Sequence, residues 1–182
     1  MIKLAAPLKE SDVRKLKVGD QVEISGIIFT ARDEAHKFMV NNNMKLNSNV
    51  IYHCGPIVKN KKVIAAGPTT SIREEPYEAK IIEKYKIRAI IGKGGMANDT
   101  AAAMKKFGCV YLAATGGAAS LLAQKIVKVI QVRQLKEFGM PEAIWELEVR
   151  DFPAIVAMDS HGNSIYKDIK LASEDVYNRL VK

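Results

Sequence analysis

Arg88-Ala89-Ile90-Ile91-Gly92-Lys93-Gly94-Gly95 carries the clearest α/β signature of the chain. Its short apolar run, closed by glycine, reads as a buried strand. A helical segment over 98–107 follows, and Val110-Tyr111-Leu112-Ala113-Ala114 is a second apolar strand, closed by Thr115-Gly116-Gly117. On the N-terminal side, a helix over 77–85 leads into the first of these strands. Strand and helix alternate through this part of the chain, the pattern of an α/β domain.

Farther toward the N-terminus the chain is richer in strands. Two apolar runs, 50–54 and 63–66, are each followed by Gly-Pro, at Gly55-Pro56 and Gly67-Pro68. The echo predicts two neighbouring strands ending in similar turns. Residues 41–49 are polar and read as a surface loop. Residues 31–41 predict a helix with Ala35, Phe38 and Met39 on one face, and 21–30 alternate well enough for a strand. A turn at Val18-Gly19-Asp20 separates that strand from a short helix within 8–16, with Ser11 and Asp12 as candidate N-caps. Toward the C-terminus we expect a helix over 118–129, strands over 144–149 and 154–159, a turn at Ser160-His161-Gly162-Asn163 and a last helix beginning at Ser173. With no linker dividing the chain, the expectation is one α/β domain over residues 1–182 with a mixed sheet.

Composition bounds the function. The 182 residues are 48% hydrophobic and 26% charged, as in an ordinary globular protein. No run approaches the roughly 20 apolar residues of a spanning helix. The opening Met1-Ile2-Lys3-Leu4-Ala5-Ala6-Pro7 lacks the length and apolar character of a signal peptide, so a cytoplasmic location with no membrane contact is expected. Cys54 and Cys109 form neither a disulfide framework nor a closely spaced metal motif, and free buried thiols are expected. The formal charge of +8, with a pI near 9.4, points to an anionic partner: nucleic acid, an acidic protein face or a small polyanion. Its densest run, Lys59-Asn60-Lys61-Lys62, reads as a hairpin turn, and no nucleic-acid-binding motif accompanies it.

Three loops carry residues that could do chemistry. Gly67-Pro68-Thr69-Thr70-Ser71-Ile72-Arg73 gathers three hydroxyls and a guanidinium, a set suited to carboxylate recognition, or simply to capping the helix that follows. Gly92-Lys93-Gly94-Gly95 joins a strand to a helix, where freed backbone N–H groups and a lysine make an anion site, or a tight turn with an exposed lysine. It has neither the spacer nor the Lys-Ser/Thr ending of a P-loop. In Thr30-Ala31-Arg32-Asp33-Glu34-Ala35-His36, Arg32 and His36 share a helix face, either as a proton-exchanging pair or within a surface ion-pair network. His53 and His161 lack local partners and read as structural.

Taken together, these segments resemble a known family. Gly19-Asp20, Ser25-Gly26, the Thr30 to His36 loop, Tyr52-His53-x-Gly55-Pro56, the Gly67 to Arg73 loop, Ile91-Gly92-Lys93-Gly94-Gly95-Met96, Gly139-Met140-Pro141-Glu142-Ala143 and Asp159-Ser160-x-Gly162-Asn163 occur in the order found in the β subunit of class I fumarases and L-tartrate dehydratases. That subunit is equivalent to the C-terminal domain of the single-chain enzymes. The resemblance implies a swivelling β/β/α fold and a hydro-lyase that reversibly hydrates a C4 dicarboxylate, fumarate to malate. It also implies a 4Fe-4S cluster held by three cysteines of a partner α subunit, with one iron open to substrate, and hence a hetero-oligomer.

By the same resemblance, Thr69 matches a threonine proposed as catalytic base and His36 a histidine given an active-site role. Arg32, Arg73 and Lys93 match residues that bind substrate carboxylates. Gly67, Thr70, Gly92 and Gly94 would shape the anion-binding loops. One departure is local: Glu74-Glu75-Pro76 stands where methionine commonly follows the arginine, placing two carboxylates where they could pair with Arg73 or face the partner. The β subunit of an L-tartrate dehydratase, forming oxaloacetate, is the close alternative. A non-catalytic anion- or nucleic-acid-binding module is the distant one.

Overall fold

The structure, a computed structural model, describes residues 1–181. In chain order its elements are β1 (Ile2–Ala6), α1 (Glu10–Val13), β2 (Gln21–Thr30), α2 (Asp33–Asn41), β3 (Val50–Tyr52), β4 (Ile57–Lys59) and β5 (Lys62–Ala65). A 3-10 turn (Ser71–Glu74) then runs directly into α3 (Glu75–Tyr85). β6 (Ala89–Gly92), α4 (Asn98–Phe107), β7 (Val110–Ala113), α5 (Ala119–Gln124), β8 (Ile126–Arg133), α6 (Leu135–Phe138), β9 (Ile144–Met158) and α7 (Ile165–Leu180) complete it.

Seven strands form a mixed sheet in the order β1-β2-β3-β6-β7-β9-β8. β1, β2, β3, β6 and β7 run parallel, whereas β9 runs antiparallel to β2, β7 and β8. Because β9 pairs with both β2 and β7, strands β2, β3, β6, β7 and β9 close a hydrogen-bonded ring. The period-2 alternation of side chains divides the core in two. Val50, Tyr52, Ala89, Ile91, Val110 and Leu112 point into one cluster with Val22, Ile24, Leu147 and Phe152. Ile51, Ile90 and Tyr111 point the other way, onto Met39 of α2, Ile81 and Ile82 of α3 and Met104 of α4.

The helices carry ordinary boundary signals. α2 starts with Asp33 and Glu34 at the positive end of its dipole. α3 has a proline in its first turn, and α4 ends on Gly108 in the left-handed conformation. β4 and β5 make a hairpin whose turn residues Asn60 and Lys61 both have positive φ, so the basic run is a hairpin turn as expected. No described helix is long and apolar enough to cross a membrane.

The α/β fold with a mixed sheet is the one expected; several elements differ. Residues 118–129 are not one helix: α5 stops at Gln124 and β8 begins at Ile126. The two expected C-terminal strands are one fifteen-residue strand, β9, bent at Asp151, whose φ is 48° and whose N–H is held by the Ser25 hydroxyl. The last helix starts at Ile165, with Ser164 rather than Ser173 as its cap. α1 is preceded by Lys9, so neither Ser11 nor Asp12 caps it. β3 and β5 belong to different sheets, although the Gly-Pro echo has a counterpart in an isolated bridge between Cys54 and Pro68.

Candidate active site

Since β2, β3, β6 and β7 are parallel, the segments leaving their C-terminal ends lie together. These begin at Ala31, His53, Lys93 and Ala114, and that edge of an α/β sheet is where ligands bind. All three loops singled out in the sequence meet there. The Gly67 to Arg73 segment is laid against the ends of β3 and β6 by backbone bonds. Thr69 N–H donates to the His53 carbonyl at 2.7 Å, Lys93 N–H to Thr69 at 3.4 Å and Ser71 N–H to Lys93 at 3.0 Å. Thr70 and Lys93 are thereby paired as in a parallel ladder. Thr70 and Lys93 are exposed and Thr69 is half-buried.

The glycines of these loops serve different physical ends. Gly94 and Gly95 have φ of +84° and +77°, conformations that side chains resist. Gly92 serves packing instead: a Cβ there would lie 1.9 Å from the Ser71 hydroxyl. Gly67 approaches α5, with a Cβ placed 3.1 Å from that of Ala119.

The arginines are already paired within the chain. Arg73 donates from Nε and Nη2 to the two oxygens of Asp33, at 3.2 and 2.8 Å. Arg32 lies 3.3 Å from Glu142 and passes over Gly55, where a Cβ would sit 2.8 Å from its Nη1. Among the described residues, no carboxylate lies within ion-pair distance of Lys93.

Beneath the loops runs a buried polar chain. His36 places Nδ1 2.8 Å from the Arg32 carbonyl and Nε2 2.9 Å from Glu78 Oε2. Both neighbours only accept when Glu78 is ionised, so both ring nitrogens donate and His36 is an imidazolium. His53 Nε2 donates to the same oxygen at 3.1 Å. Tyr111 donates its hydroxyl to Ser71 at 2.8 Å, leaving the Ser71 proton for His53 Nδ1 at 2.9 Å, and Gly95 N–H donates to Tyr111 at 3.3 Å. Burial pushes the Glu78 carboxyl up, but the two histidine bonds outweigh it and hold it near 2. Burial also works against the His36 cation, and Glu78 and Glu74 outweigh that, raising its pKa. For His53 burial prevails and the pKa falls. His36, expected from the sequence as a proton-exchanging residue, is fully buried with both ring nitrogens engaged and presents no atom to solvent.

Residues 1–169 match the family described as fumarase C-terminus. The chain belongs to that family. It is 51% identical over 180 residues to the protein named "Putative fumarate hydratase class I" from Geobacillus stearothermophilus, with 95% of this chain and 35% of that relative covered. It is 48% identical over 186 residues to "Putative L(+)-tartrate dehydratase subunit beta" from Methanocaldococcus jannaschii, covering 96% and 95%. The L(+)-tartrate dehydratase subunit beta of Escherichia coli K12 is 34% identical over 176 residues, covering 92% and 87%. This fumarase C-terminal chain thus spans about a third of the first relative and nearly all of the second.

Class I fumarate hydratases generally depend on an iron–sulfur cluster. The thiols of this fumarase C-terminal chain do not fit one. Cys54 and Cys109 are both fully buried; burial pushes Cys54 up to about 12 and Cys109 well above its ordinary value, and two thiols fall short of three cluster corners. Among the described residues, the grouping nearest to a metal-ligand set is His36, His53 and Glu78. Its spacings of 2.9 and 3.1 Å onto one carboxylate oxygen are those of hydrogen bonds already made.

Neither Glu74 nor Glu75 forms an ion pair with Arg73, which is held by Asp33 instead. Glu74 is buried 3.4 Å from His36, and Glu75 accepts from Ala97 N–H and Thr100 N–H at the start of α4. Sequence reasoning missed Glu78, and read His53 as structural without its partners Glu78 and Ser71. A signal was present for the first: Glu74 and Glu78 are four apart and in register with Ile81 and Ile82, placing carboxylates on the core face of α3.

Proposed function

We propose that this chain is the β subunit of a two-subunit class I fumarate hydratase, adding water reversibly across the double bond of fumarate to give L-malate. The observation that carries the reading is the convergence of Thr69, Thr70, Arg32, Arg73 and Lys93 on one edge of the parallel strands, in a member of the fumarase C-terminal family. The near-complete coverage of a relative named as a subunit supports a separate partner chain. That partner, the α subunit, would hold the 4Fe-4S cluster that Cys54 and Cys109 cannot.

In this reading Lys93 supplies the uncompensated charge for one substrate carboxylate, and Arg73, oriented by Asp33, presents its fork to the other. Arg32 lines the same edge. Removing a proton beside a carboxylate concentrates negative charge on that carboxylate. Fixed cations and the backbone N–H groups around Gly92, Gly94 and Thr70 stabilise that charge without reorganising. Thr69 takes the proton in dehydration and returns it in hydration. A threonine hydroxyl needs an activating base, which none of the described residues places beside it and the partner would supply.

L-tartrate dehydratase is the second reading, the name carried by two relatives of which this chain covers 95% and 87%. Anaerobic co-purification with the partner, followed by assays on fumarate, malate and L-tartrate, tests both. Turnover of fumarate and malate is expected. Turnover of tartrate alone would transfer the function, and no turnover in an assembled, cluster-containing complex would overturn both.

A further inference from the structure

We propose that the buried chain from Gly95 through Tyr111, Ser71, His53 and Glu78 to His36 is a positioning relay. It holds the three loops of the site in one register, and Ser71 and Tyr111 form its central joint. The inference rests on the hydratase reading for its kinetic consequence and on geometry alone for the relay itself.

Every hydrogen in the chain has one assignment. Gly95 N–H donates to the Tyr111 oxygen, Tyr111 to Ser71, Ser71 to His53 Nδ1, and His53 Nε2 to Glu78. His36 donates to Glu78 from one nitrogen and to the Arg32 carbonyl from the other. The ends of the relay are thus backbone atoms of the Arg32 and Gly95 loops, and its middle residue, Ser71, lies two positions from Thr69. Ser71, His53, Glu78 and His36 are fully buried, so water does not replace a broken link without rearrangement. Gly92 is part of the same arrangement, because only a residue without Cβ leaves room for the Ser71 hydroxyl.

None of these side chains is exposed to a ligand. They are positioning residues, whose effect on substrate passes through Thr69, Lys93 and Arg32. That gives His36 a role that its burial permits, as the cation that fixes the Arg32 carbonyl and anchors Glu78.

The relay is tested with Ser71→Ala and Tyr111→Phe, alone and together, in the full-length chain and in its complex with the partner. Both substitutions cut the same joint, so the double variant should lose no more than either single one. We expect kcat for fumarate hydration to fall about tenfold in each variant and in the double, with KM within about twofold. In the chain alone, amide exchange at Thr69 to Arg73 and at Gly94 to Met96 should quicken together in either single variant. Exchange that quickens in only one of these two segments, or kcat losses that multiply in the double variant, would overturn the relay. Coupled exchange in a chain whose wild-type complex hydrates no dicarboxylate would leave the relay standing and remove the hydratase reading instead.

Discussion

Arg73 is gripped by Asp33 through a two-point contact, Nε to Oδ1 at 3.2 Å and Nη2 to Oδ2 at 2.8 Å. The pair joins the 3-10 turn before α3 to the first residue of α2 and sets the direction of the guanidinium. In the proposed function, a substrate carboxylate would displace Asp33 or use the remaining edge of the fork. Both options depend on the planar geometry of arginine, which lysine does not reproduce.

Arg73→Lys should therefore separate binding from stability. The pair is well exposed, at 51% and 33%, and such pairs contribute about 0.2–1 kcal/mol, so the denaturation midpoint should move little. A lost charge-assisted fork costs about 1.5–3 kcal/mol, so KM for fumarate should rise by roughly tenfold or more in the assembled enzyme. Steady-state kinetics beside a urea titration measures both.

Glu74 makes stability depend on pH. Burial raises its carboxyl to about 7 from an ordinary 4.5; His36 opposes the rise, Asp33 and Glu78 add to it, and Arg73 opposes it. A carboxyl raised on folding stabilises the fold while protonated in both states, below about 4.5, and that contribution is lost as pH climbs through about 7. Glu74→Gln should remove this loss. Denaturant midpoints at pH 5 and pH 8 should show the variant gaining on the wild type by about 1 kcal/mol or more at the higher pH.

Glu75, one residue on, should behave as a purely structural group. Its carboxylate accepts from Ala97 N–H at 2.8 Å and from Thr100 N–H at 3.1 Å, satisfying donors at the N-terminus of α4. Glu75→Ala should cost about 0.5–2 kcal/mol, the range for a lost cap, and leave kcat and KM of the complex unchanged. Thermal denaturation and kinetics on the same preparation check this.

Gly92→Ala and Gly116→Ala form a contrasting pair. A Cβ at Gly92 meets Ser71 Oγ at 1.9 Å and Tyr111 Oη at 2.9 Å, whereas one at Gly116 has only Lys93 Cδ at 3.8 Å. Forced into a packed interior, the first should cost about 1–3 kcal/mol. The second should stay within about 0.5 kcal/mol. Urea midpoints of the two variants decide it.

Elements with one buried face or clear ends were legible in the sequence. The alternation of β2 and the periodicity of α4, bounded by its loop and Gly108, gave their limits directly. β8 was not, because it is a half-exposed edge strand. Its register shifts at Ile126 to Lys128 and at Val129 to Gln131 break the two-residue period, and the apolar residues fall at helix-like spacing. β9 looked like two strands because Arg150-Asp151 carries charge at its bend. β1 is too short, and too interrupted by Lys3, to stand out. The three loops of the site were legible because each is a compact local motif. The relay beneath them was not, since it joins residues 36, 53, 71, 78 and 111, and only folding brings them together.

The active-site assignment is tested by the activity of the complex formed by the partner with Thr69→Ala or Lys93→Ala, compared with wild type at equal cluster content. We predict normal assembly, with hydration of fumarate reduced by about a hundredfold or more for Thr69→Ala, as expected for loss of acid–base catalysis, and by about tenfold or more for Lys93→Ala. Full activity in both variants, in assembled complexes, would contradict the assignment of this strand edge as the active site.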